Sequence, residues 1–323
     1  MSRIQWKLSL AALSVTLAAG PPYAWASASP APGAAIAAHP ALSPSAQTEH
    51  VVVISVDGLR ADAIERFGAQ TLQRLMREGA YTLDARTILP SRTLPSHTSM
   101  LTGAGPASHG ITWNSDETDT RGVVGVPTVF AVARAQGLTT AAFFSKTKFH
   151  HLEVPNSLDH VESPQDGRWS SERTIRNVRS YLEGAKPNLT FVHLAEPDYA
   201  GHMFSWMSWF YGRAVRKADG AVADVLAAAD KAFGTGNYTV VITADHGGSG
   251  WTHGSDDPRD VTIPWIAWGK GVQPGATIGS GVRTVDTAAT VLWLLGLTAP
   301  ATVEGVPVGA AFQRASPLHP SGP

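Results

Sequence analysis

The segment from His50 to Gly58 reads HVVVISVDG, a continuous apolar, β-branched run that ends in Asp-Gly. Runs of this kind suit strands buried on both faces, as in parallel sheets. LTFVHLAEPD (189–198) and YTVVITADHGG (238–248) repeat the design, and LTTAAFF (138–144) and TIPWIAW (262–268) are further strand candidates. Between them, apolar positions recur at helical spacing over 70–79, 127–136, 171–184, 211–233 and 284–296. Strands alternating with helices predict an α/β fold with a mainly parallel central sheet sandwiched by helices.

Three of these runs close on an aspartate: Asp57, Asp198 and Asp245. In open parallel sheets, sites form beyond the carboxyl ends of the strands, so carboxylates far apart in sequence can converge there. A lone aspartate after a strand is ordinarily a turn former, and the case rests on its neighbours. EPDYAGH spaces Asp198 and His202 four apart, which puts both on one face if the segment is helical. ADHGGSGWTH joins Asp245 to His246 and brings His253 seven residues later, with Gly247, Gly248 and Gly250 between. Three carboxylates bunched in a cleft would raise one another's pKa, and bound divalent cations remove that conflict.

Composition narrows the chemistry. The chain has 323 residues, 43% of them hydrophobic, enough for one large domain. A formal net charge of −1 gives it no general attraction for nucleic-acid polymers or anionic membranes. With no cysteine, disulfides and thiolate metal sites are excluded, so a metal must be held by oxygen and imidazole nitrogen. Zn²⁺ accepts that mixture, and Mn²⁺ is the alternative.

Residues 1–26 have Arg3 and Lys7 ahead of an apolar run from Leu8 to Ala19, then Ala24-Trp25-Ala26, the pattern of a secretory signal peptide. Residues 27–48 are rich in Ala, Pro and Ser and read as a flexible segment. One catalytic domain is expected over 49–315, with a tail at 316–323. The expectation is an exported, periplasmic or secreted protein with no membrane span once the signal is removed.

Taken in order, VDG after a strand, TLPSHTSMLTG, SHGITWN, EPDYAGH, ADHGG and THG resemble the alkaline phosphatase superfamily. The pattern is most similar to the type I phosphodiesterase/nucleotide pyrophosphatase family, and covers most of residues 50–300. The resemblance implies an alkaline phosphatase-like fold and two metal ions. One would be held by Asp57, Thr93, Asp245 and His246, the other by Asp198, His202 and His253. In larger members the last histidine often lies further downstream; here only His319 follows His253.

The resemblance also makes Thr93 the nucleophile. A threonine hydroxyl is weak near neutral pH, but bound to a metal it can lose its proton and attack phosphorus. The start of a helix there would aim N–H groups at a phosphate, and Pro95 fits a first helical turn. On the segment alone, Thr93 could equally be the N-cap of a helix over 95–102. Asn114 matches the asparagine whose amide would donate to a phosphoryl oxygen; its other reading is a turn residue. His97 is expected to be packed and hydrogen-bonded on the helix after Thr93. His150, His151 and His160 are expected on the surface.

These expectations describe a two-metal phosphate ester hydrolase working through a phosphothreonine intermediate, of phosphodiesterase/nucleotide pyrophosphatase type. Its partner would be a small phosphate ester, such as a nucleotide. FFSKTKFHH (143–151) supports the alternative, a phosphomonoesterase. Lys146 and Lys148 resemble the Lys-x-Arg pair with which some Thr-nucleophile alkaline phosphatases meet the extra charge of a monoester. In an extended chain their side chains point the same way, and their other reading is a solvated pair. Trp113, Trp206, Trp209 and Trp251 could stack on a nucleobase or lie in the core. A phosphonate hydrolase on the same fold and a metal-binding, non-catalytic relative are the remaining readings. Only 114–126, 145–170 and 203–210 are left to cover the site, which predicts a shallow one.

Overall fold

The computed structural model describes residues 47–312. The signal-like residues 1–26, the tail and all but two residues of the Ala/Pro/Ser segment lie outside them. Eight strands form one sheet: β1 (Val51–Val56), β2 (Ala80–Arg86), β3 (Thr140–Phe143), β4 (His160–Glu162), β5 (Leu189–Leu194), β6 (Thr239–Thr243), β7 (Thr262–Gly269) and β8 (Ala276–Thr277). Their order is β4-β3-β5-β1-β6-β7-β2-β8. Pairings from β4 through β6 are parallel, as is β2 with β8, whereas β7 runs antiparallel to both its neighbours, β6 and β2.

Every residue of β1, β3, β5 and β6 is buried, the consequence of their unbroken apolar runs. The long helices cover both faces. On one side α1 (Gln70–Glu78), α4 (Ser171–Ala185) and α5 (Glu196–Phe204) pack around α6 (Trp209–Phe233); on the other α2 (Thr93–Thr102), α3 (Val129–Ala135) and α7 (Asp286–Leu294) pack together. This is the helix-sandwiched, mainly parallel sheet that the pattern predicts. No helix among the described residues is long and apolar enough to cross a membrane.

Parallel register aligns the strand ends. Val56 pairs with Leu194, Ser55 with Thr243, and Phe143 with Val192. The segments leaving β1, β3, β5 and β6 therefore emerge along one edge of the sheet, where the candidate residues gather.

Candidate active site

Asp57 directly follows β1 and Asp245 follows β6 by one residue. Asp198 does not end a strand. It lies in the first turn of α5, and its backbone N–H donates to the Asp57 carbonyl at 2.9 Å. Gly58 makes this approach possible. It has φ +70°, and a Cβ there would stand 2.8–3.0 Å from the Asp198 backbone and Cβ. Its N–H donates to Asp245 Oδ1 at 3.0 Å, so one glycine links all three aspartates.

Two donor groups result, Asp57–Asp245–His246 and Asp198–His202–His253, each with ligand-capable atoms within 4.8 Å of one another. His246 Nε2 lies 3.2 Å from Asp245 Oδ2 and 3.5 Å from Asp57 Oδ1. His202 Nε2 and His253 Nε2 lie 3.3 and 3.5 Å from Asp198 Oδ1. Helical spacing puts Asp198 and His202 on one face of α5. His253 reaches the site through the turn after β6, where a Cβ on Gly248 would collide with the Trp206 indole at 2.2 Å.

The donor set fits divalent cations, and hydrogen bonding is the reason. Nδ1 of His202 donates to the Trp251 carbonyl, that of His253 to Ser91 and that of His246 to Gly247, at 2.7–2.9 Å. Burial lowers the pKa of His246 and pushes that of His253 down to about 3, so both rings are neutral. A neutral ring whose Nδ1–H is committed presents a bare lone pair at Nε2. The lone pairs of His246 and His253 face Asp57 Oδ1, Asp245 Oδ2 and Asp198 Oδ1, buried carboxylate oxygens with no hydrogen-bond partner. His202 also faces Asp198, whose carboxylate raises that ring's pKa. Acceptor faces acceptor in a buried cleft, an arrangement that a cation between them resolves.

Lys146 supplies part of that compensation. It is 8% exposed, and its Nζ lies 2.7 Å from Asp57 Oδ2 and 2.6 Å from Asp198 Oδ2. Burial opposes ionisation of both carboxyls, and Lys146 outweighs it, holding both pKa values below the usual range. For Asp245, burial and the Asp57 charge win, and its pKa is raised well above that range. The conflict among three carboxylates is thus reduced by the lysine, yet persists at Asp245. The solvated reading of Lys146 is incorrect. The extended geometry expected for the pair is also incorrect, because Lys146 caps a 3₁₀ turn over Thr147–Leu152 that contains Lys148. Burial and the Lys146 charge push Lys148 down to about 8.

Thr93 is the first residue of α2, and Arg92 occupies the N-cap position, so the reading of Thr93 as the cap is incorrect. Its hydroxyl lies 3.4 Å from His246 Nε2, and the positive end of the helix dipole is at the same place. Asn114 Oδ1 accepts the Leu94 N–H at 2.9 Å, which ties the amide to the start of α2 and leaves Nδ2 as its donor. His97 is buried, with Nδ1 at 2.8 Å from the Thr93 carbonyl and Nε2 at 2.8 Å from Ser55 Oγ.

Sequence reasoning missed His193, on β5. Its Nε2 lies 2.9 Å from Asp57 Oδ2, and its Nδ1 meets Ser145 Oγ. A single histidine inside the apolar strand LTFVHL was the available clue. The surface expectation for the histidine cluster fails at His151. That ring is buried, its Nε2 accepts from Trp113 Nε1 and the Glu117 N–H, and its Nδ1 donates to the Gly122 carbonyl, pinning the loop that carries Asn114. Of the four tryptophans, Trp206 is buried and Trp113 half-buried, while Trp209 and Trp251 are 61% and 66% exposed.

Comparison with known proteins places this arrangement. Human ectonucleotide pyrophosphatase/phosphodiesterase family member 1 is 25% identical over 221 residues, spanning 62% of this chain and 24% of that protein. Bis(5'-adenosyl)-triphosphatase ENPP4 of Pongo abelii is 25% identical over 224 residues, 64% of this chain and 49% of that protein. The chain thus spans half or less of the length of these curated relatives. Murine ectonucleotide pyrophosphatase/phosphodiesterase 5 shares the fold, with TM-score 0.69 and 16% identity over 78% of this chain and 96% of that one; an inactive variant of it has been solved in complex with AMP. The sequence pattern of type I phosphodiesterases/nucleotide pyrophosphatases matches residues 51–257, more than half of the chain, and the chain belongs to that family.

Proposed function

We propose that the protein hydrolyses small phosphodiesters or nucleotide pyrophosphates through a covalent intermediate on Thr93, with two divalent cations, Zn²⁺ or alternatively Mn²⁺, as cofactors. One observation carries the reading. Three imidazole Nε2 atoms and three partnerless carboxylate oxygens face one another beside a threonine hydroxyl at a helix start. Asp57, Thr93, Asp245 and His246 would hold one cation, and Asp198, His202 and His253 the other. When bound, such ions supply Lewis acidity, easing ionisation of the hydroxyl and spreading the charge that builds on phosphorus and the leaving oxygen.

The chain's own residues do the rest. Thr93 Oγ1 attacks phosphorus in line, forming the Oγ–P bond as the bond to the leaving oxygen breaks. The phosphothreonine keeps its second ester substituent when the substrate is a diester. Water then attacks phosphorus from the vacated side, the Oγ–P bond breaks and the threonine is regenerated. Asn114 Nδ2 donates to a non-bridging oxygen, and the dipole of α2 favours the anionic group there. His97 and His193 orient Thr93 and Asp57 from behind.

A second reading, a phosphomonoesterase, is favoured by Lys146. A buried ammonium between the two donor groups suits a dianionic phosphoryl group better than a singly charged diester. Nucleotide chemistry in the family, including AMP bound by the murine relative, supports the diester and pyrophosphate reading. Export to the periplasm or medium is part of the proposal and rests on residues 1–26. Paired kinetics with nitrophenyl phosphate monoester and diester, with added Zn²⁺ and with chelator, test it. Chelator-sensitive turnover favouring the diester is expected; a monoester preference would move the assignment to the second reading.

A further inference from the structure

Among the described residues, nine large hydrophobic side chains are exposed, and five of them fall in one stretch of chain, Tyr199, Met203, Phe204, Trp209 and Phe210, with Trp251 a sixth from the turn after β6. Tyr199 and Met203 share a face of α5. Phe204 stacks on Phe210 at 4.4 Å, and Phe210 meets Trp209 edge-on at 5.0 Å. Trp251 is joined to α5 through its carbonyl, which accepts from His202 Nδ1. Large apolar groups held out in water at this density mark a contact surface.

The charges beside them indicate what the surface meets. Arg168 lies 3.4 Å over the Tyr199 ring and Arg213 lies 5.0 Å over Trp209. Neither pairs with a carboxylate among the described residues. From Tyr199 to Arg216 the chain carries Arg213 and Arg216 and no Asp or Glu, while the next residue, Lys217, is paired with Glu172 and Glu196. Exposed Trp, Tyr and Phe interleaved with unpaired Arg is the composition that settles at the headgroup level of a bilayer, the rings among the upper acyl carbons and the cations on anionic phosphates. A second copy of the chain is a poorer occupant, because a two-fold contact over this ridge would set Arg213 near its own equivalent.

We infer that this aromatic–arginine ridge docks the protein on the surface of an anionic phospholipid bilayer. His202 sits on α5 between Tyr199 and Met203, so docking brings the Asp198–His202–His253 group to headgroup level. That last consequence rests on the proposed hydrolase reading; the docking itself does not.

Flotation of the full chain with vesicles tests the inference. Wild type should float with phosphatidylcholine/phosphatidylglycerol vesicles and far less with phosphatidylcholine alone. Trp209→Ser combined with Phe210→Ser should lower that binding about tenfold, with unchanged far-UV circular dichroism. Arg213→Glu should lower it severalfold, and only when phosphatidylglycerol is present. Because Leu8–Ala19 is itself apolar, undiminished binding by the double variant would overturn the inference and assign membrane contact to that segment. Failure of wild type to float would overturn it as well, and a dimer lost in the double variant without any flotation would assign the ridge to self-association. If the double variant does not fold, Trp251→Ser and Arg213→Glu carry the test, and full binding by both overturns it.

Discussion

The Thr93 hydroxyl lies 3.4 Å from His246 Nε2, across 153 positions of sequence. The contact joins the start of α2 to the turn after β6. It sets the hydroxyl proposed as nucleophile beside a ring whose lone pair is already aimed at two buried carboxylate oxygens.

His193 braces Asp57 from the side away from its partnerless oxygen. Replacing it with Phe keeps the ring packing against Phe149 and His97 and removes the hydrogen bond. Zinc affinity, measured by competition with a chromophoric chelator, should fall about 10- to 100-fold. Unchanged affinity would show that Asp57 needs no such brace.

Lys146 neutralises two buried carboxylates when no cation is bound. Lys146→Ala leaves both uncompensated, so the chelated protein should lose about 3–5 kcal/mol in urea unfolding, and zinc should restore much of it. In kinetics with zinc, monoester turnover should drop about tenfold more than diester turnover. An equal drop for both substrates would remove Lys146 from recognition of the extra charge.

The Asn114 side-chain carbonyl accepts the Leu94 N–H, which leaves Nδ2 as the donor for the proposed phosphoryl contact. Asn114→Ala should lower kcat/KM on a diester about a hundredfold, within the range of losing one donor to an oxyanion. Asn114→Asp keeps the acceptor for Leu94 but sets a negative charge toward the substrate. It should be the slower of the two variants; an Asp variant as active as wild type would contradict the role.

His109 is buried, its Nε2 beside Ser99 Oγ and its Nδ1 accepting the Ile111 N–H. Burial lowers its pKa from 6.5 to about 4. Below pH 6.5 the unfolded chain binds a proton here that the folded chain refuses. Its contribution to stability is therefore full above 6.5 and lost as pH falls to about 4. Melting temperature should decline less steeply over that interval in His109→Gln than in wild type. Parallel declines would place the acid sensitivity elsewhere.

Much of the fold could be read from pattern because β1, β5 and β6 are buried on both faces and their sequences are mostly apolar and β-branched. The remaining strands are harder to read. In β2 the alternation breaks at Leu83-Asp84, where its register with β7 shifts, and β4 and β8 have only three and two residues. The carboxylates and imidazoles show in local spacing, such as the four-residue step from Asp198 to His202, whereas the roles of Thr93 and Asn114 come from the family resemblance. What spacing could not reveal was contact between distant segments. His193 looks like one more core position of a strand, and Lys146 looks like one more surface lysine. Only alignment of four strand ends at one sheet edge brings both to Asp57.

The central claim, that Thr93 carries the phosphoryl group, is tested most directly by mass spectrometry of protein quenched in acid during turnover of a nitrophenyl phosphodiester with zinc. The account predicts a phosphoryl ester on the peptide containing Thr93, present only while substrate lasts and missing from Thr93→Ala. Hydrolysis by Thr93→Ala at a near wild-type rate, with no adduct on that peptide in wild type, would contradict it.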